Sequence, residues 1–205
     1  MRGPQLTVIS VVDPVDGWEA AGFSSFEDDV AVDSVRLRTG VAGPANGIAA
    51  WGFDRETADV LDGILTLQEP RHGLDASPHP NGVVEIDHLV MMSPDGPRTI
   101  SALEAVGFEV RRTREFKRGG TEMRQTFFWM GDTILEMAWE AGVADPGPAT
   151  LWGLAFTVED LDETVAYLGE RCSQPRDAVQ PGRRVATLRT RDLGTSVPTL
   201  FISPN

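Results

Sequence analysis

Cysteine is almost absent from this 205-residue chain, in which Cys172 stands alone. That excludes an intramolecular disulfide and any cysteine-built zinc cluster. Cys172 follows a helical pattern directly, with no histidine close by in sequence, and reads as a packed or surface thiol. Long apolar runs are missing too: nothing approaches the roughly 18 residues of a membrane-spanning helix. The opening Met1-Arg2-Gly3-Pro4 has no apolar secretory core, so a cytoplasmic location is expected. Basic residues are scarce. Eighteen Lys and Arg face 31 Asp and Glu, a formal net charge of -13. Nucleic-acid phosphates and anionic membrane surfaces both demand the opposite sign, so neither is expected as a partner. A glycine-rich phosphate loop, a nucleotide fingerprint and a Ser-His-Asp order signal are also missing.

What is present is a globular composition, 41% apolar and 24% charged, long enough for one large domain or two small ones. The acidic excess is steeper at the start, with 13 acidic and 5 basic residues up to Gly82, then 18 and 13. It reads as a solvated surface. Taken at face value, the net charge suits a cationic ligand.

The chain repeats itself. Trp18-Glu-Ala-Ala-Gly-Phe23 and Leu103-Glu-Ala-Val-Gly-Phe108 each follow an apolar run, Leu6 to Val12 and Ile86 to Met92. A fainter copy joins Leu151-Trp-Gly-Leu-Ala-Phe-Thr-Val158 to a helical pattern ending Ala166-Tyr-Leu-Gly169. Three rounds of strand, helix, glycine and strands indicate three copies of one supersecondary unit. Ile100, Leu103 and Val106 form one helical stripe, with Asp95 as cap and Gly107 as stop. Leu161, Val165 and Leu168 form another, capped by Asp160 and stopped by Gly169.

The strands can be placed in register. Met123 to Met130 and Thr133 to Trp139 are separated only by Gly131-Asp132, which suits a tight hairpin. Met130 then pairs with Thr133, Phe127 with Glu136 and Gln125 with Ala138. Cross-strand partners share a face, so Gln125, Phe127, Trp129, Ile134, Glu136 and Ala138 lie together. Arg184 to Thr190 and Val197 to Ile202 form a similar pair. Between Asp54 and Gly82, prolines and glycines break the pattern into a connector. The expected organisation is a degenerate N-terminal unit over 1–54, a connector over 55–82, and full units over 83–142 and 150–205.

A tandem strand–helix–three-strand unit resembles the vicinal oxygen chelate superfamily, which includes glyoxalase I, bleomycin-resistance proteins and extradiol dioxygenases. Ile86-Asp-His-Leu-Val resembles the first strand of such a unit and Thr133-Ile-Leu-Glu-Met-Ala138 its last. Leu151 to Asp160 resembles the start of a second unit, and Pro198-Thr-Leu-Phe-Ile202 its end. The pattern is also similar to glyoxalase-like proteins of unassigned function found widely in actinobacteria. The resemblance implies an α+β fold, a cup-shaped mixed sheet with helices outside and a ligand cavity inside.

In metal-dependent members the first and last strands of each unit supply His and Glu ligands. His88 and Glu136 fall on those positions, and Gly153 and Phe201 on the corresponding positions of the next unit. Neither of the latter binds a metal. A catalytic divalent site needs about three protein ligands, so a complete metal site is not expected. His72 and His79 of the connector remain as sources of a third ligand, although the prolines around His79 suggest a solvent-facing loop.

Two functions stay open. One is binding of a small organic molecule in the cup. Phe127, Trp129 and Phe201 would offer apolar walls, Gln125 a polar contact, and Arg184 a cation for a carboxylate or enolate. The other is a lyase, isomerase or dioxygenase acting on an oxygenated metabolite through His88 and Glu136, with or without a divalent metal. The blander alternatives are a hydrogen-bonded strand histidine, a solvated wall carboxylate and aromatic side chains that only fill the barrel. Phe201 in a ligand position favours an apolar, metal-free half-cavity. An odd third unit leaves a sheet edge to cover, by the chain itself or in a homodimer.

Overall fold

The computed structural model describes residues 3–71 and 77–204. His72 lies outside the described residues. The N-terminal part runs β1 (Leu6–Val11), α1 (Val15–Ala20), β2 (Ser25–Phe26), β3 (Asp29–Val32), β4 (Val35–Arg38), β5 (Ile48–Phe53), β6 (Val60–Leu61) and β7 (Ile64–Gln68). Then follow β8 (Val83–Ser93), α2 (Gly96–Ala105), β9 (Val110–Arg118), β10 (Thr121–Met130) and β11 (Thr133–Glu140). The chain ends with β12 (Thr150–Val158), α3 (Leu161–Leu168), β13 (Arg176–Asp177), β14 (Arg184–Thr187) and β15 (Thr199–Ile202).

These strands make two mixed sheets, β2-β3-β4-β1-β5-β7-β6 and β13-β14-β15-β12-β8-β11-β10-β9. Each full unit has the same wiring. The first strand pairs in parallel with the last, as β8 does with β11 and β12 with β15. First strands of adjacent units pair antiparallel, β1 with β5 and β8 with β12. The fold is the expected α+β arrangement of strand–helix–three-strand units.

One difference concerns the connector. Strands β6 and β7 form within the 55–82 stretch, and β7 pairs in parallel with β5. Residues 48–68 are therefore a reduced fourth unit that has lost its helix and one strand. With no helical stripe there, proline and glycine punctuation dominated the sequence pattern. The N-terminal sheet also covers its own chain. Trp51 stacks on Phe108 with centroids 6.0 Å apart, and Phe23 meets Phe156 edge-on at 5.1 Å. One core thus lies between the two sheets.

The local signals hold. The Asp95 side chain accepts from Arg98 N, and that of Asp160 from Asp162 N and Glu163 N. The hairpin pairs Met130 with Thr133, Phe127 with Glu136 and Gln125 with Ala138. Gly131, at φ +66°, supplies the turn conformation that other residues resist. No helix among the described residues is long and apolar enough to cross a membrane.

Candidate functional site

Strand alternation in the C-terminal sheet separates two faces. Leu89, Met91, Leu135 and Met137 point into the common core. His88, Val90, Met92, Glu136 and Ala138 point the other way and line a cavity of ≈480 Å³. A second cavity of ≈210 Å³ shares His88, Gln125, Glu136, Arg176 and Leu200 with it. Together they form one trough along the sheet, floored by β8, β10 and β11.

Two β-bulges shape this trough. Ala155 pairs with His88 but Phe156 with Ile86, so Asp87 is an extra residue on β8. A bulge re-aims side chains, and here it brings consecutive residues together. His88 Nδ1 lies 2.7 Å from Asp87 Oδ1. On β12 the extra residue is Trp152, since Leu151 pairs with Met91 and Gly153 with Val90. Trp152 lines the trough and stays 53% exposed, an unusual setting for the largest apolar ring.

A continuous polar row crosses the floor. Arg114 Nε donates to Gln125 Oε1, and Gln125 Nε2 donates to Glu136 Oε1. Glu136 Oε2 lies 3.9 Å from His88 Nε2. Behind His88, Asp87 Oδ2 accepts from Arg183 Nη1 at 2.7 Å. Arg183 is buried and also donates to Gln180 Oε1 and Ser203 O. Burial pushes the Asp87 carboxyl upward, but hydrogen bonds from His88 and Arg183 outweigh it and hold the group below the usual carboxylate range. Asp87 is therefore an acceptor only. The proton of a neutral His88 sits on Nδ1, and the Nε2 lone pair faces the trough.

The other sequence-derived residues divide. Gln125 and Phe127 line the trough, and the Arg112 guanidinium lies 4.4 Å from the Phe127 ring centroid. Trp129 lines a third cavity of ≈460 Å³ with Arg111 and Asp132, which adjoins the smaller cavity at Arg112 and Gln180. Phe201 does not reach either cavity: it is fully buried in the core, and its neighbours Leu200 and Ile202 face the trough instead. With one bulge on each strand, the residues level with His88 are Ala155 and, beside it, Leu200. Gly153 sits where a Cβ would come within 2.6 Å of Pro198 O. Arg184 turns outward to Asp162, with contacts of 3.0 and 2.7 Å, while Arg183 turns inward. His79 is not solvent-facing. It is buried, its Nδ1 accepts from Ser24 N, and its Nε2 donates to Ala31 O.

Sequence reading missed Asp87, Trp152, Arg176 and the arginines of β9. The last had a signal. Arg112, Arg114, Phe116 and Arg118 recur every second residue, which puts them on one strand face. Thr121, Met123, Gln125 and Phe127 of β10 pair with Arg118, Phe116, Arg114 and Arg112 in turn.

A divalent ion does not fit this donor set. Among the described residues no group of three or more His, Cys, Asp and Glu side chains is placed to hold one. His88 and Glu136 supply two donors, and the wall opposite is Trp152, Leu154, Ala155 and Leu200.

No family model and no curated protein matches the chain. Solved structures do. A 4-hydroxymandelate synthase variant from Streptomyces coelicolor superposes with a TM-score of 0.64 at 12% identity, covering 99% of this chain and 93% of that one. The 2,2',3-trihydroxybiphenyl 1,2-dioxygenase of Sphingomonas wittichii gives 0.59 at 15% identity, covering 97% and 90%. A homoprotocatechuate 2,3-dioxygenase variant from B. fuscum gives 0.59 at 15%, covering 100% and 71%. The chain shares the fold of these three proteins. Within that fold, this chain carries a trough with arginines on its walls and an incomplete donor set.

Proposed function

We propose that the trough binds a small organic anion with an apolar body, without a complete metal site. One observation carries this reading. Arg112, Arg114, Arg118 and Arg176 line the two joined cavities, and Glu136 is the one carboxylate among the described residues that line them. In a chain of net charge -13 the trough reverses the overall sign, so the cationic ligand suggested by composition gives way to an anion. Met92, Phe116, Met123 and Trp152 offer apolar surface at the wider end.

The test is a thermal-shift panel of aryl and alkyl carboxylates against amines of matched size. Carboxylates should raise the melting temperature and amines should not. Arg114→Ala should weaken carboxylate binding about tenfold or more, as for loss of one charge-assisted contact. Preferential binding of amines would sink the reading.

A second reading, metal-assisted lyase, isomerase or dioxygenase chemistry through His88 and Glu136, draws on Asp87. Carboxylates commonly orient metal-bound histidines in this way. One equivalent of a divalent ion in protein purified without chelator, lost in His88→Ala, would establish it. A homodimer is the remaining proposal, and sedimentation velocity decides it; the cationic edge strand β9 disfavours pairing through that edge.

A further inference from the structure

We infer that the Asp87–His88–Glu136 row is a metal-independent proton-transfer site, which moves a proton between two atoms on one face of a carbonyl-containing acid. This is tautomerase or isomerase chemistry, and it rests on the reading of the trough as an anion site. Three features support it. First, His88 is oriented. Asp87 Oδ1 accepts the hydrogen bond from Nδ1–H, and Arg183, itself held by Ser203 O, fixes the other Asp87 oxygen. The free lone pair on Nε2 is the base. Second, the imidazolium formed would lie between two carboxylates, Asp87 at 2.7 Å and Glu136 at 3.9 Å. Gln125 holds Glu136 through its other oxygen, leaving Oε2 toward His88. The 3.9 Å gap is too long for a direct hydrogen bond, so His88 Nε2 is not consumed by its neighbour. Third, Arg112 and Arg114 line the trough beside His88 and can face an oxygen on which charge develops.

The step balances without a redox partner. Nε2 removes a proton from the carbon next to the carbonyl. The C–H electron pair becomes the C=C bond of an enolate, and the carbonyl oxygen takes the negative charge opposite a guanidinium. His88 then returns a proton to the enolate oxygen, giving the enol, or to the carbon it left, which exchanges that hydrogen with solvent. Both carboxylates and His88 end as they began. Asp87 and Arg183 are positioning residues, since they act only through His88.

The test follows hydrogen–deuterium exchange at the carbon beside the ketone of 2-oxo-4-phenylbutanoate and 2-oxohexanoate, by NMR in D2O. The protein is treated with EDTA and dialysed. Exchange should exceed the buffer rate about 100-fold or more, in line with a positioned general base. His88→Gln should return it to the buffer rate while the same acids still shift the melting temperature, and added imidazole should restore it in His88→Gly. Asp87→Asn should leave KM unchanged and lower kcat about tenfold or more, because an amide that donates to Nδ1 inverts the tautomer. A purely structural Asp87 would not split the two constants. Binding without exchange overturns the proton-transfer site and leaves the anion site standing. No thermal shift from either acid overturns both. Exchange that survives His88→Gln, or that requires an added divalent ion, overturns the assignment to His88 as a metal-free base.

Discussion

The two sheets share one wiring and differ in what occupies the face turned away from their common core. On the N-terminal sheet that face carries Arg36 and Arg38 of β4. Both are answered from within: Arg38 meets Glu69 at 2.8 and 2.9 Å, and Arg36 lies 3.4 Å from Asp29. The strands beside them are packed close. A Cβ on Gly52 would come within 2.5 Å of Val8 Cγ1. Among the described residues lining the trough of the C-terminal sheet the arginines outnumber the carboxylates, and the strands leave the trough open. The unit repeat therefore determines where a site can stand, and the local balance of charge and side-chain volume decides whether one does.

The largest effect should come from the core that joins the sheets. Phe108, on the C-terminal side, touches both Trp51 and Phe53 of β5. Phe108→Ala should cost about 3–5 kcal/mol, read by urea denaturation. Because the core is shared, tryptophan fluorescence and far-UV circular dichroism should still change together. Two separated transitions would show that the halves are independent domains. Next in size is the polar joint at Asp13. Its buried carboxylate accepts from Ser196 N at 2.9 Å, Ser196 Oγ at 2.5 Å and Val197 N at 3.2 Å. Asp13→Ala strands these donors and should cost about 2–3 kcal/mol, again over one transition.

His79 tests how the N-terminal sheet is held. It ties Ser24 to Ala31 across long sequence separations. Burial pushes its pKa below the ordinary 6.5, against the smaller upward pull of the Ala31 carbonyl. The unfolded chain thus takes up the proton first. The stability that the neutral ring contributes is complete above 6.5 and is lost as pH falls from there toward the folded-state value. His79→Gln should cost about 1–2 kcal/mol at pH 7.5 and flatten the melting-temperature profile as pH falls below the ordinary 6.5. An unchanged slope would assign the acid sensitivity to other groups.

Local chemistry was legible and long-range chemistry was not. The hairpin register followed from Gly131-Asp132, and both caps from an aspartate ahead of a helical stripe. Those signals act within a few residues. Gly153 and Phe201 fell on the ligand positions that the resemblance implies, but Phe201 is buried in the core and a bulge at Trp152 shifts the register beside Gly153. Alternation sends one of the adjacent Arg183 and Arg184 to each face without saying which, and it is Arg183 that turns inward. Asp87 gained its place only through a bulge against β12, more than sixty residues later. His79 looked exposed because its partners lie some fifty residues away. The reduced unit at 48–68 lacked the helix that made the other units readable.

The smallest effect bears directly on the contrast between the two faces. Arg38 is as cationic as Arg114, but Arg38 is paired with Glu69 on a filled face, and Arg114 stands over an open trough. The Arg38 side chain is 32% exposed, so its solvent-screened pair with Glu69 contributes little. Arg38→Ala should lower stability by about 0.5–1 kcal/mol and leave carboxylate affinity unchanged, whereas Arg114→Ala should weaken binding with little change in melting temperature. Isothermal titration of both variants with one aryl carboxylate makes the comparison. If the Arg38 variant loses affinity as much as the Arg114 variant, the N-terminal face takes part in binding, and internal neutralisation is not what separates the two sheets.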